Sequence, residues 1–497
     1  MLKRSAIFVH RWLGVAVCLF FLVWFPSGIG MMYWDFPGVT AEDRIERAAP
    51  LNPSSIELSP VEALARLGPF PSPTQVRITM FDGRPVYRFV ADGGEALVYA
   101  DSGARQLEVS SALIERGASA WTGRPVSAAK VEGLDAADQW TVAGSFRRMG
   151  PLWKYSWPSG EQVYVSAMSG EVVQYTTTAS RLGAYLGPIP HWLYFTPLRR
   201  HQLQWSRVVI WTSGIGTVAA LLGIVVGVWI VSPSQRYRQS GRATSIPYRG
   251  AKRWHAVLGL IFGAGAATWA FSGMLSMDPF PATNSTEVSE KSDGGGEGAG
   301  IPQALRGPLS MDAFATRHPR EALLAVATLH VKELELAVVA GEPVYIATLR
   351  PGNTRVLTLD GRARTGFDHS RIAQIVTRAA GPAGLAELRE LTQYDRYYLD
   401  RHRQRPLPVM LARLNDAAHT RYYIDARTAQ IVGTYSARNW VSRWPYHGLH
   451  SLDFPWLYNY RPAWDIVVIT FMLGGTALTV TSLILAWGVV GRMLKSV

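Results

Sequence analysis

The chain has 497 residues, a formal net charge of +13 and a single cysteine, Cys18. One cysteine excludes an intrachain disulfide, a cysteine-ligated zinc cluster and covalent haem attachment through CxxCH. Apolar residues make up 48% of the chain and 18 residues are Trp, a composition that suits a membrane protein with sizeable soluble parts.

A bilayer core takes roughly 20 apolar residues to cross. Four stretches qualify, at about Trp12–Tyr33, Val208–Val231, Ala256–Met277 and Ile466–Val490. The first follows Lys3, Arg4 and Arg11, but its apolar run is long for a signal peptide and no A-x-A site follows, so an uncleaved anchor is expected. Between the second and third spans lies "SPSQRYRQSGRATSIPYRGAKR", with Arg236, Arg238, Arg242, Arg249, Lys252, Arg253 and no acid. Short loops rich in Lys and Arg stay in the cytoplasm. Both termini are therefore expected inside, and the two long segments outside, in the periplasm of a bacterium whose inner membrane carries the protein. The boundaries that follow are 1–34, 204–231, 254–279 and 461–497 for the spans with their tails, 35–203 and 280–460 for the outer segments, and 232–253 for the basic loop. No basic helix or RNA-type aromatic motif points to nucleic acid.

Within the first outer segment, "GRPVYRFVADGGEALVYADSGA" and "GEQVYVSAMSGEVVQYTTT" read as strand–turn–strand units. In the second, "GEPVYIATLRPGNTRVLTLDGRA" and "TRYYIDARTAQIVGTYS" repeat the pattern. Short helical runs such as "SPVEALARLG" and "SRIAQIVTRAAG" precede some of them, so small α+β domains are expected. The polar stretch at 284–300 reads as a linker. "YDRYYLDRHRQRP" sets Arg396, Arg401, Arg403 and Arg405 among tyrosines, suiting either an anionic chelate or a solvated basic loop.

The spans repeat. "HRWLGVAVCLFFLVWFPSG", from His10, matches "HAVLGLIFGAGAATWAFSG", from His255, without a gap. "HWLYFTPLRRHQLQWSRVVIW", from His191, matches "HSLDFPWLYNYRPAWDIVVIT", from His450. Two parallel halves are expected, related about an axis along the membrane normal. His10 and His255 then sit at the cytoplasmic helix ends, and His191 and His450 just outside the other face. A histidine at a helix end also serves as an interface anchor, but two related imidazoles can supply both axial bonds of one haem iron. A pair near each face makes a two-centre relay across an apolar core of about 30 Å. His447, three residues before His450, is an alternative outer ligand. Gly14 and Gly259, one turn after the inner histidines, would let a porphyrin approach the backbone or let helices pack closely. Ser27-Gly28 and Ser272-Gly273 read as packing residues.

The strand–turn–strand units resemble PepSY domains. The helices opening with "HRWLG", together with "HWLYFTPLR" and "YHGLHSLDFP", resemble the PepSY-associated transmembrane helix family over nearly the whole chain. That resemblance implies an inner-membrane ferric-siderophore reductase with two b-type haems (heme b), or, since PepSY domains are associated with restraint of peptidases, a membrane-anchored inhibitor or sensor without redox chemistry. The basic loop is too short for a nicotinamide or flavin domain, and no GxGxxG or Walker loop appears. The expectation is a haem-dependent oxidoreductase that takes electrons from a membrane quinol or a separate cytoplasmic reductase and passes them to a periplasmic ferric chelate. A haem or metal transporter would be expected to have more numerous and more broken helices.

Overall fold

In a computed structural model, which describes residues 1–92, 94–239, 241–279 and 300–495, four long helices carry the rest. They are α1 (Leu2–Gly30), α2 (Gln202–Ile230), α3 (Gly250–Leu275) and α4 (Ala463–Leu494). All four are long and apolar enough to cross a membrane. Each begins or ends beyond the apolar run that announces it, because helix formers such as "LKRSAIF" before Val9 continue the hydrogen-bonded ladder into polar sequence. α1 packs against α2 and α4, and α3 packs against the same two, so α1 and α3 lie on one diagonal of the bundle. Close approach rests on small residues: an added Cβ at Gly474 would lie 2.4 Å from Phe262, and one at Gly475 would lie 2.6 Å from Phe25.

Long segments join α1 to α2 and α3 to α4, and they do not fold apart. From the first come β1 (Gln75–Phe81), β2 (Arg84–Ala91) and β3 (Gly94–Tyr99). From the second come β10 (Glu333–Val339), β11 (Glu342–Arg350), β12 (Asn353–Thr358) and β13 (Ala363–Arg364). They form one antiparallel sheet in the order β13-β12-β11-β10-β1-β2-β3. The seam is β1 against β10, with Val76 opposite Leu336 and Ile78 opposite Leu334. Arg77 forms an ion pair with Glu333 across it at 3.6 Å. Asp82-Gly83 and Ala340-Gly341 turn the two central hairpins with both residues at positive φ, the geometry that lets a two-residue loop follow strand twist. Residues of both segments share the core on one face of this sheet, among them Tyr87, Phe89, Phe314 and Tyr345, so neither segment has that core to itself.

Each segment adds a smaller four-stranded sheet. The first holds β4 (Lys130–Leu134), β5 (Leu152–Ser156), β6 (Gln162–Ser166) and β7 (Val172–Thr176). The second holds β14 (Leu385–Leu391), β15 (Val409–Leu414), β16 (Arg421–Asp425) and β17 (Gln430–Tyr435). The basic loop between α2 and α3 makes only a short hairpin, β8 (Tyr237–Gln239) with β9 (Arg242–Thr244). The expected linker at 284–300 lies, apart from its last residue, outside the described residues.

Candidate functional site: two facing histidine pairs

His10 of α1 and His255 of α3 meet across the diagonal of the bundle. Their ring centres are 6.1 Å apart, with planes inclined at 34°. His10 Nδ1 lies 2.9 Å from the Ala219 carbonyl of α2. A carbonyl only accepts, so Nδ1 carries the proton. His255 Nδ1 lies 3.3 Å from both Thr481 Oγ1 and Ser482 Oγ of α4. Both hydroxyls donate to the Leu478 carbonyl in their own helix, at 2.6 and 2.9 Å, so their oxygens are left to accept. Gly223 of α2 makes room for His10, since a Cβ there would lie 2.6 Å from His10 Cε1. α1 begins at Leu2, so His10 sits more than two turns inside its helix and not at the end expected from the apolar run. His255 sits little more than one turn inside α3.

His191 and His450 form the second pair, with ring centres 5.9 Å apart and planes at 66°. His191 Nδ1 lies 3.2 Å from Ser27 Oγ and 3.2 Å from the Trp24 carbonyl. His450 Nδ1 lies 3.0 Å from Ser272 Oγ. Ser27 donates to the Val23 carbonyl at 2.6 Å and Ser272 to that of Trp269 at 3.2 Å, so these oxygens also accept from the rings. Loss of surrounding water pushes His191 down to about 4. The same effect, aided by the neighbouring His191 and His447, pushes His450 down to about 3. Both rings are therefore neutral at pH 7, the form that ligates a metal. Among the described residues, none of the four Nε2 atoms has a hydrogen-bond partner.

Local sequence explains the outer pair's placement. His191 lies on the short helix Pro188–Trp192, which Pro188 starts and Leu193, in the left-handed conformation, ends. Its base is pressed on α1: an added Cβ at Gly187 would lie 2.8 Å from the Gly30 carbonyl carbon, and one at Gly30 would lie 2.4 Å from the Leu186 carbonyl oxygen. Leu452 ends the His450 turn in the same left-handed conformation. Trp205 of α2 donates to the Trp192 carbonyl at 2.8 Å, and Trp464 of α4 donates to that of Ser451 at 3.0 Å. These tryptophans tie each histidine turn to the helix that follows it.

His447 is not brought against His191. It lies in the wide helical turn Ser442–Gly448, its ring 4.5 Å from that of Tyr446. Ser27-Gly28 and Ser272-Gly273 do more than pack: the serines accept from the histidines, and a Cβ at Gly28 or Gly273 would lie 3.6 or 3.5 Å from the His191 or His450 ring. Gly14 is not pressed on a helix, since a Cβ there would meet nothing within 4 Å, and at Gly259 the nearest atom would be 3.8 Å away. His318 and His369 make polar contacts elsewhere in the outer segments, and His402 contacts Asp35 and Arg401. Residues 394–406 are solvated in part: Arg396 and Arg403 are exposed, whereas Arg401 and Arg405 are half-buried. Tyr398 is fully buried and stacks on Tyr423 at 4.7 Å, whose hydroxyl donates to Asp395 at 3.0 Å.

A cavity of about 340 Å³ opens beside the outer pair, lined by both rings and by Phe25, Trp269, Tyr446 and Met472. Against this architecture, the chain matches the family model of the PepSY-associated TM region over residues 8–488. It belongs to that family. No curated protein and no solved structure matches it. In this PepSY-associated chain, the residues that sequence reasoning passed over are Ala219, Gly223, Thr481 and Ser482. Repeat position was the available signal, because Gly223 and Ser482 correspond in the match that aligns His191 with His450.

Proposed function

We propose that the protein is a bacterial inner-membrane electron carrier that holds two b-type haems and reduces a periplasmic ferric chelate. The carrying observation is the two facing histidine pairs, each ring with Nδ1–H committed to a neighbour and Nε2 free. Such a contact fixes the tautomer and aims the lone pair, as the groups that hydrogen-bond to metal-binding histidines do. With a metal–nitrogen bond of about 2 Å on each side, two imidazoles sharing one metal have centres about 6 Å apart. The observed 6.1 and 5.9 Å fit that span. Among the described residues no three His, Cys, Asp or Glu side chains gather, so a bare ion would have only two protein ligands at either pair. Haem iron needs only two, because the porphyrin fills its other four positions. The open space at Gly14 and the apolar cavity beside His191 and His450 suit a flat macrocycle.

Haem, when bound, supplies a one-electron carrier at each pair. The chain's part is to hold the two carriers at a fixed separation. Equal lengths of helix separate His10 from Ser27 and His255 from Ser272, roughly 25 Å at the α-helical rise. Phe21, Phe25, Trp269 and Phe471 form a run of ring contacts inside the bundle. In this reading the two halves are parallel repeats, the β8–β9 hairpin faces the cytoplasm and the large sheets face the periplasm, as the basic loop predicts. That hairpin offers no nucleotide fold, so electrons come from a quinol or a separate reductase. The ferric-siderophore class of substrate rests on what the family resemblance implies. The test is the optical spectrum of full-length protein from haem-replete cells. A reducible b-type spectrum is expected; a colourless, folded protein would sink the redox reading and favour an inhibitor or sensor.

A further inference from the structure

Among the side chains lining the outer cavity, Arg401 is the one with a fixed charge. It comes from the chain between β14 and β15, not from the bundle, and reaches the end of α1. Its Nη1 donates to the Met31 carbonyl at 2.6 Å, and its Nη2 pairs with Asp35. His402 lies 3.1 Å from the other Asp35 oxygen. Asp35 itself is largely in solvent, with a side chain 61% exposed against 32% for Arg401. Independently, Trp269 lines the same cavity, is 8% exposed, and has an indole N–H without a hydrogen-bond partner. A buried donor without an acceptor is costly, and the Arg401 charge at this apolar wall is balanced only by Asp35, a carboxylate largely in solvent. A cavity that is otherwise aromatic and aliphatic thus carries two groups that call for acceptor oxygens.

We propose that Arg401 anchors a carboxylate on the rim of the group held by His191 and His450, the propionate edge of a haem. The inference rests on the haem reading of the outer pair and adds a ligand contact to it. A guanidinium carries five N–H donors; the Nε–H of Arg401 is taken by His402 at 3.3 Å, so the terminal nitrogens would meet a carboxylate on the rim. The same side chain already holds α1 through Met31, so the anchored group would also tie the bundle to the second outer segment.

The test uses full-length protein in detergent with His10→Ala, so that only the outer site reports. It is stripped and reloaded with haem or with haem dimethyl ester, whose carboxylates are blocked. Release is timed by transfer to excess haem-free acceptor protein. With Arg401 present, the ester should leave about tenfold faster than haem, the scale of one charge-assisted contact. Arg401→Gln should release both forms at the rate at which the parent releases the ester. That match also shows that the variant's site is still folded. Asp35→Asn should keep the tenfold preference. The proposal is overturned if Arg401→Gln still prefers haem, if it releases even the ester faster than its parent does, or if Asp35→Asn loses the preference equally. Haem bound by the parent without preference overturns it alone. Uptake of neither form overturns the haem reading as well.

Discussion

The two histidine pairs have the same ring spacing but are built differently. The inner pair lies wholly inside the helices: His10 and His255 project from α1 and α3 and are steadied by α2 and α4. The outer pair sits on short turns before α2 and α4 and is steadied in reverse, by serines of α1 and α3. In each case one diagonal of the bundle carries the histidines and the other holds the rings. Each pair mixes backbone and hydroxyl contacts, but the inner histidines need room between continuous helices, whereas the outer ones need the turns that carry them to be held in place. That difference decides which substitutions each pair tolerates.

The largest contrast should be functional. His191→Ala or His450→Ala should leave the inner centre reducible from the donor side while abolishing reduction of an added ferric chelate, read by ferrous-iron trapping in proteoliposomes. His447→Ala should leave both centres in place. Loss of the outer centre in His447→Ala with its retention in His450→Ala would contradict the pairing.

Next comes room. Gly223→Val puts a Cβ about 2.6 Å from His10 Cε1, so it should empty the inner site without replacing either histidine. Gly14→Ala, facing open space in the protein alone, should cost far less. Haem content of the two purified variants checks this, and equal losses would show that Gly223 is not what seats the ring.

The serine hydroxyls that contact the outer histidines should give a smaller effect. Ser272→Ala removes a hydroxyl acceptor of His450 and should weaken haem binding at the outer site by about tenfold, at the lower end of what such partners contribute. Ser27→Ala should cost less, because His191 Nδ1 keeps the Trp24 carbonyl at 3.2 Å. His10 has no equivalent weakness, because its acceptor is the Ala219 backbone carbonyl. Haem titrations of the stripped variants measure the change, and an unchanged affinity in both would remove the serines from the account.

The smallest effect belongs to the tryptophan ties. Trp205→Phe and Trp464→Phe each delete one indole hydrogen bond to a histidine turn, costing about 1 kcal/mol apiece. Thermal unfolding should show the cost, with the inner site's spectrum unchanged. A larger disturbance of the inner than of the outer spectrum would contradict the assignment of these ties.

Much of this arrangement was legible in sequence, for identifiable reasons. The four spans follow from long apolar runs. The partners His10 with His255 and His191 with His450 follow from ungapped self-similarity, which survives where a single histidine would be ambiguous. The hairpins follow from alternating residues and glycine turns. What was not legible depends on distant neighbours. The Ala219 carbonyl has no side-chain signature. β1 and β10 carry no mark that they pair with each other, since each alternates as any half-buried strand does. Arg401 lies far in sequence from Met31 and Asp35, and a run of arginines reads as solvated until packing shows one of them at the cavity wall. Ser27 and Ser272 stood in matching repeat positions, but a serine beside a glycine in a span is usually a packing residue.

The central claim is that each haem is shared by one histidine from each half of the chain. Haem-to-protein stoichiometry across single and double histidine variants tests it most directly. Two haems are expected in the unaltered protein, one in each of the four single His→Ala variants, and still one in the within-pair doubles His10→Ala/His255→Ala and His191→Ala/His450→Ala. None is expected in the cross-pair double His10→Ala/His191→Ala. A within-pair double that falls below its singles, or a cross-pair double that keeps a haem, would contradict that claim.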